Sequence, residues 1–171
     1  MGAGTEPIGD SARLVVAATG IIGDPVSTPW LIEKMKQPEL VRAAGEAFSL
    51  ITGVDLAYDD LEGDWPQEFE AGPTETPEDE DVALDADEDL LWPEADLIAE
   101  WWSDKQANFQ KGQRFLCGQP ISAETCLDVL GNGYQRQRRA AALELVLLSP
   151  NEPLFNTSAP AKRQMRALGA A

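Results

Sequence analysis

The chain has 171 residues, with 30 acidic and 13 basic side chains, no histidine and a formal charge of −17. Without histidine there is no Ser–His or Cys–His nucleophile pair, no imidazole general base and no histidine-containing zinc site. The acidity is local: residues 43–104 hold twenty-one Asp and Glu and no Lys or Arg, whereas residues 1–42 sum to −1 and residues 105–171 to +5.

A block of this kind is repelled by nucleic acid and by anionic membrane, and attracts basic proteins or divalent cations. Chemistry on carboxylates alone needs a folded, partly dry pocket to separate two pKa values, which a solvated acidic loop does not supply. The expectation is a protein that is not an enzyme and uses no cofactor and no metal. No apolar run approaches the ~18 residues of a membrane span. Met1-Gly2-Ala3-Gly4-Thr5-Glu6 has neither the charged start and apolar run of a secretory signal nor the Ser or Thr of a myristoylation site. Cys117 and Cys126 form no CxxC pair and are expected to be reduced. Together these features predict a soluble, cytoplasmic protein.

In chain order, residues 1–10 read as a flexible start. Leu14, Val15, Ala18 and Ile22 fall at helical spacing, with Gly20 expected to stop the helix and Gly23-Asp24-Pro25 to turn the chain. Thr28-Pro29 reads as an N-cap followed by Pro at the first helical position, with Trp30, Leu31 and Met35 on one face. A third helix over Glu39–Ile51 ends at Gly53, and its small residues at 43, 44, 45 and 47 invite the close approach of another helix. Residues 54–92 lose all periodicity; their acid- and Pro-rich composition favours disorder or an extended loop. Order resumes at Trp92-Pro93-Glu94, with Leu97, Ile98, Trp101 and Trp102 expected in the core. Residues 112–121 read as a Gly- and Pro-bracketed connector. Ser122 caps a helix to about Leu130, Gly131-Asn132-Gly133 turns the chain, and Tyr134–Ser149 is the longest helix. Residues 150–171 form a Pro-punctuated tail with a short basic helix near Arg163–Leu168. The organisation is therefore 11–53 helical repeats, 54–92 acidic loop, 93–149 helices packing on the repeats, and 150–171 tail.

Helix, Gly-Asp-Pro turn, helix, short turn and Ala-rich helix is the grammar of an α-solenoid. Ala17-Ala18-Thr19-Gly20-Ile21-Ile22-Gly23-Asp24-Pro25 with Pro29-Trp30-Leu31-Ile32 resembles the short bacterial HEAT-like repeat. Phe48–Leu56, the acidic stretch, Trp101-Trp102, Gly112–Pro120 and Gln135-Arg136-Gln137-Arg138-Arg139 extend this likeness over nearly the whole chain. Together they resemble the C-terminal half of a bacterial HEAT-like repeat family of unknown function, often encoded near type VI secretion genes. The resemblance implies an all-α fold, a short solenoid or its C-terminal cap interrupted by the acidic loop. It also implies a protein-interaction role, accessory or adaptor, and no catalytic residues. The family carries further repeats on the N-terminal side, so preceding repeats or self-association are expected to cover the first helix.

Asp85, Asp87, Asp89 and Asp96 imitate the ligand spacing of a calcium loop, but Leu90 stands where Gly is needed and Pro93 breaks the geometry. Arg136, Arg138 and Arg139 lie on one helical turn; they either solvate the helix start, pair with the chain's own acids or grip a partner. The acidic window itself supports three readings: a solvated spacer, a docking strip for a basic partner, or a nucleic-acid mimic that inhibits a basic toxin or nuclease. The partner-binding candidates are Glu78, Asp79, Glu80, Asp81, Asp85, Asp87, Glu88 and Asp89, with Arg136, Arg138 and Arg139. As spacer or docking strip, residues 71–89 are expected to be dispensable for folding.

Overall fold

The computed structural model describes residues 8–66 and 87–169, which are mostly helical with one short β-hairpin. An N-terminal block is built from α1 (Ile8–Ile22), α2 (Thr28–Lys34) and α3 (Val41–Thr52). Next come α4 (Ala95–Lys105), the antiparallel pair β1 (Phe115–Leu116) and β2 (Gln119–Pro120), α5 (Ala123–Asn132), α6 (Gln135–Leu148) and α7 (Ala161–Ala167).

Gly20 does not end the first helix. It lies against α3, where a Cβ would come within 2.7 Å of the Ala47 Cα. The glycine is a point of close helix approach, and α1 continues to Ile22. The turn falls at Gly23, whose φ of +74° is disfavoured for any other residue. Asp24 then caps a 3-10 turn over Pro25–Ser27, its carboxylate accepting the Val26 N–H at 3.0 Å. That turn runs directly into α2, so Thr28 is not the cap. Its buried hydroxyl instead donates to the Pro25 carbonyl at 2.8 Å.

The apolar stripe predicted for α1 also faces outward. Leu14 and Val15 are 70% and 54% exposed and Ile22 is 53% exposed, while Val16 is fully buried. The buried side of α1 follows Ala12, Val16 and Gly20 at i, i+4, i+8, a narrow row that lets α1 lie close on α3. In α2 the buried residues are Leu31, Ile32 and Met35, with Trp30 partly exposed. In α4, Ile98 and Trp102 are buried, Trp101 is half-buried and Leu97 is exposed.

Two apolar cores result. The first gathers Val16, Leu31, Val41, Ala44, Phe48 and Ile51 with Ile98 and Trp102; the second gathers Leu50, Cys126, Val129, Leu130 and Ala140–Ala142. Alternation along β1 sends Phe115 into the first and Leu116 into the second. An aromatic row reinforces the junction: Phe48–Trp102 (6.0 Å between centroids), Trp102–Phe109 (5.2 Å) and Phe109–Phe115 (5.1 Å).

The hairpin, read from sequence as a plain connector, also completes two helix ends. Its turn residues Cys117 and Gly118 have φ of +50° and +77°. The Cys117 N–H donates to the Leu50 carbonyl (2.7 Å), the Gly118 N–H to Ile51 (3.1 Å), and the Phe115 N–H to Gly23 (2.8 Å). Carbonyls left over at the C-terminal end of α3 thus find donors.

The expected loop over 54–92 is packed at both described ends. Val54, Leu56 and Leu61 are buried in the first core. Glu62 pairs with Pro93 in an antiparallel bridge, with the Gly63 N–H donating to Trp92 (2.8 Å) and the Glu94 N–H to Leu61 (2.9 Å). No helix among the described residues is long and apolar enough to cross a membrane.

Candidate functional site

The candidates Glu78, Asp79, Glu80, Asp81 and Asp85 lie outside the described residues. Asp87, Glu88 and Asp89 are described, and their fates differ. Asp87 is only 4% exposed. Arg13 of α1 grips its carboxylate through both Nε (2.8 Å) and Nη2, and Arg136 of α6 stands 4.0 Å away. Arg42 of α3 donates from Nη1 to the Asp87 carbonyl at 2.7 Å and lies over the Trp65 ring. Asp89, with its side chain 77% exposed, accepts from Arg136 Nη2 at 2.6 Å. Glu88 is exposed. Three arginines from three helices therefore converge on Asp87 and Asp89, and Asp87 is not a surface available to a partner.

The three arginines of α6 have different surroundings. Arg136 pairs with the chain's own acids. Arg138 donates to the Leu130 carbonyl from Nε (2.8 Å) and also meets Gln164 of α7, which ties α5, α6 and α7 together. Arg139 is exposed. The three guanidiniums are thus not a common grip. Of the calcium-loop positions, Asp85 lies outside the described residues, both carboxylate oxygens of Asp87 accept from Arg13, and one oxygen of Asp89 accepts from Arg136. Among the described residues no group of three or more His, Cys, Asp or Glu is placed to hold a metal ion.

Most of the described acids elsewhere in the window are exposed. The Glu62–Pro93 bridge brings two stretches of it side by side. Asp59, Asp60, Glu62 and Asp64 lie on one arm and Glu94, Asp96 and Glu100 on the other, all exposed. Gly63 sits against Glu94 across the bridge, where a Cβ would come 3.1 Å from the Glu94 Oε2. Neither arm carries a Lys or Arg of its own, and Lys36 of α2 lies near enough to Asp96 to interact with its charge.

Beside the arginine cluster, a cleft of about 560 Å³ opens between α3, residues 53–56, residues 89–91 and the first turn of α6. Glu46 lines it half-buried, and burial pushes its carboxyl above the usual range, with Asp89 and Asp87 adding to the rise and Arg136 opposing it. The Asp89 carboxyl is held below its usual range by the hydrogen bond from Arg136. Burial and the nearby Glu46 push the Cys117 thiol up to about 11, and burial likewise raises Cys126. Both thiols are free, and these shifts disfavour the thiolate, the reactive form.

Sequence reasoning passed over Arg13, Arg42 and Glu46. Arg13 and Arg42 are single cations on otherwise apolar helices, and that isolation was the available signal. Comparison with protein-family models, curated proteins and solved structures finds no match to this chain.

Proposed function

We propose that the chain is a non-enzymatic protein-interaction module whose partner presents a basic surface, acting as an accessory or adaptor protein of type VI secretion. The observation that carries this reading is the pair of acidic arms joined at the Glu62–Pro93 bridge, with seven exposed carboxylates and no Lys or Arg within either arm. Carboxylates in such excess over cations raise the local concentration of basic partners and speed their association. The same acidic face opposes approach to phosphate backbones and anionic lipid.

A stacked-repeat architecture fits this role, because solenoids offer extended surfaces for partners. The Gly23 turn capped by Asp24 and the close α1–α3 packing are consistent with a HEAT-like hairpin. The secretion context comes from the family resemblance. In that architecture the outward stripe of Leu14, Val15, Ala18 and Ile22 is where a preceding helical hairpin, from the same or another chain, packs.

The test is affinity capture of the purified chain from a bacterium encoding type VI secretion, eluted in steps of rising salt. Recovery of structural secretion components, released steeply between about 0.05 and 0.3 M salt, is the expected result. Recovery of a single basic effector domain would make the chain an acidic immunity protein instead. Partners that resist salt would place the interface on the apolar stripe of α1 and not on the acidic face.

A further inference from the structure

The cleft beside α3 combines apolar walls with an unusual floor. Val54, Leu56, Leu90 and Leu91 line it, together with the charged residues Arg42, Glu46, Asp55, Asp89 and Arg136. The two cations are committed: Arg42 holds the Asp87 carbonyl and Arg136 holds Asp89. Asp55 is exposed and accepts the Tyr58 N–H at 3.2 Å. Glu46 is different. It is half-buried, yet among the described residues it accepts no hydrogen bond. A carboxylate drawn out of water with no donor on its oxygens is poorly placed for stability. It is well placed for a donor that arrives from outside.

Charge and shape select that donor. An anion would meet Glu46, Asp55 and Asp89. A purely apolar segment would leave Glu46 buried more deeply and still unpaired. A lysine or arginine side chain suits both parts of the cleft, because its alkyl stem lies along apolar surface while its cation reaches a carboxylate. We infer that the cleft receives a lysine or arginine side chain of a protein partner, its cation meeting Glu46 and its stem and a neighbouring apolar residue resting on Val54, Leu56 and Leu91. This rests on the reading that the partner is basic, but goes beyond it. The acidic face steers any basic protein, whereas the cleft requires a cation next to an apolar residue. It is a specificity pocket beside a charge-steering surface.

The test uses the full chain and three probes: acetyl-Leu-Lys-Leu-amide, its analogue with norleucine in place of lysine, and n-butylamine. Amide chemical shifts are followed for Glu46, Ser49, Val54 and Gln137. The lysine peptide is expected to shift these amides saturably. The norleucine peptide should not shift them, and butylamine should bind at least about tenfold more weakly. Glu46→Gln, with an unchanged amide spectrum elsewhere, should weaken the lysine peptide by about tenfold, and Glu46→Asp by less. Equal binding by both peptides, or by Glu46→Gln and the parent, overturns the inference, as do shifts confined to residues 59–64. Polylysine separates the two levels of the argument. Binding that survives Glu46→Gln but is lost in Asp59→Asn/Asp60→Asn/Glu62→Gln removes the cleft and keeps the acidic face. No binding of polylysine to the parent chain removes both.

Discussion

Arg114 and Glu144 are thirty residues apart and meet in two parallel hydrogen bonds, Nη1 to Oε1 at 2.9 Å and Nη2 to Oε2 at 2.6 Å. The arginine leads into β1 and the glutamate sits on α6 at 1% exposure. The fork geometry joins the hairpin to the C-terminal helices, and Arg114 also reaches the Ile22 carbonyl of α1 at 3.4 Å. Removing the arginine alone strands a buried charge, so Arg114→Met should cost about 3 kcal/mol. Replacing both partners, Arg114→Met with Glu144→Leu, should recover most of that loss, because no desolvated charge remains. Urea unfolding of the four proteins in a double-mutant cycle measures the coupling. Additive effects would mean that the pair is not an energetic unit.

The hairpin depends on a glycine at its turn. Gly118 has φ +77°, and a Cβ there would lie 2.6 Å from the Thr52 carbonyl oxygen at the end of α3. Gly118→Ala therefore carries both backbone strain and a backbone clash, and should cost about 2–3 kcal/mol. Gly112 is the control: its φ is +83° but the space around it is open, so Gly112→Ala should cost only about 1 kcal/mol. Thermal melts of the two variants compare strain plus clash with strain alone. Equal losses would show that the hairpin does not press on α3.

Sequence reasoning located helices wherever hydrophobic period and turn chemistry acted within one segment. The helices at 41–52, 123–132 and 135–148 lie within a few residues of their expected limits, and Gly53 ends α3 as expected, in the left-handed conformation. What it missed depended on a partner distant in the chain. Gly20 reads as a helix stop unless Ala47 is known to face it. Cys117-Gly118 reads as a connector unless the ends of α1 and α3 are known to offer free carbonyls. Which side of α1 is buried was hidden because the large residues mark one face and the small ones pack. Asp87 looked like its acidic neighbours until three arginines, up to 74 residues away, converged on it.

That convergence changes the expectation for the acidic stretch. Asp87 anchors it to α1 and α3, so deleting residues 71–89 should lower the melting temperature, contrary to a dispensable spacer. Asp87→Ala alone should cost about 2–3 kcal/mol, since it removes the buried carboxylate that Arg13 grips. Asp89→Ala, which breaks an exposed pair, should cost less than about 1 kcal/mol. Urea titrations of the three proteins check the ranking. Asp87→Ala matching the parent would return the stretch to the status of a spacer.

Of the two adjacent tryptophans, only Trp102 is fully in the core. It packs edge-on to Phe48 and against Phe109, so Trp102→Ala should cost about 3–5 kcal/mol. Trp101 shares the Phe48 contact at 5.8 Å but keeps part of its surface in water. Trp101→Ala should accordingly lose about half as much. Leu14→Ser, on the outward face of α1, should change stability by less than about 0.5 kcal/mol. Denaturant midpoints for the three order these positions. A severe loss from Leu14→Ser would mean that the stripe on α1 is already covered in the isolated chain.

Glu46 gives the clearest pH signature. Burial raises its carboxyl above the unfolded value, so the folded chain takes up this proton before the unfolded chain does as the pH falls. At neutral pH the ionised group therefore weighs against folding, and protonation relieves that cost on the way down. Glu46→Gln should melt higher than the parent at pH 7, and the difference should close as the pH falls through the carboxylate range. Asp89 runs the other way. Its carboxyl is held low by Arg136, so its contribution is complete at neutral pH and is lost as the pH falls through its folded value. Asp89→Asn should thus melt slightly lower than the parent at pH 7 and converge with it in acid. Parallel melts of the three proteins from pH 3 to pH 8 distinguish the two carboxylates by sign alone. A Glu46→Gln protein less stable than the parent at pH 7 would mean that the attraction of Arg136 outweighs the burial cost of Glu46, and would remove the vacancy on which its docking role depends.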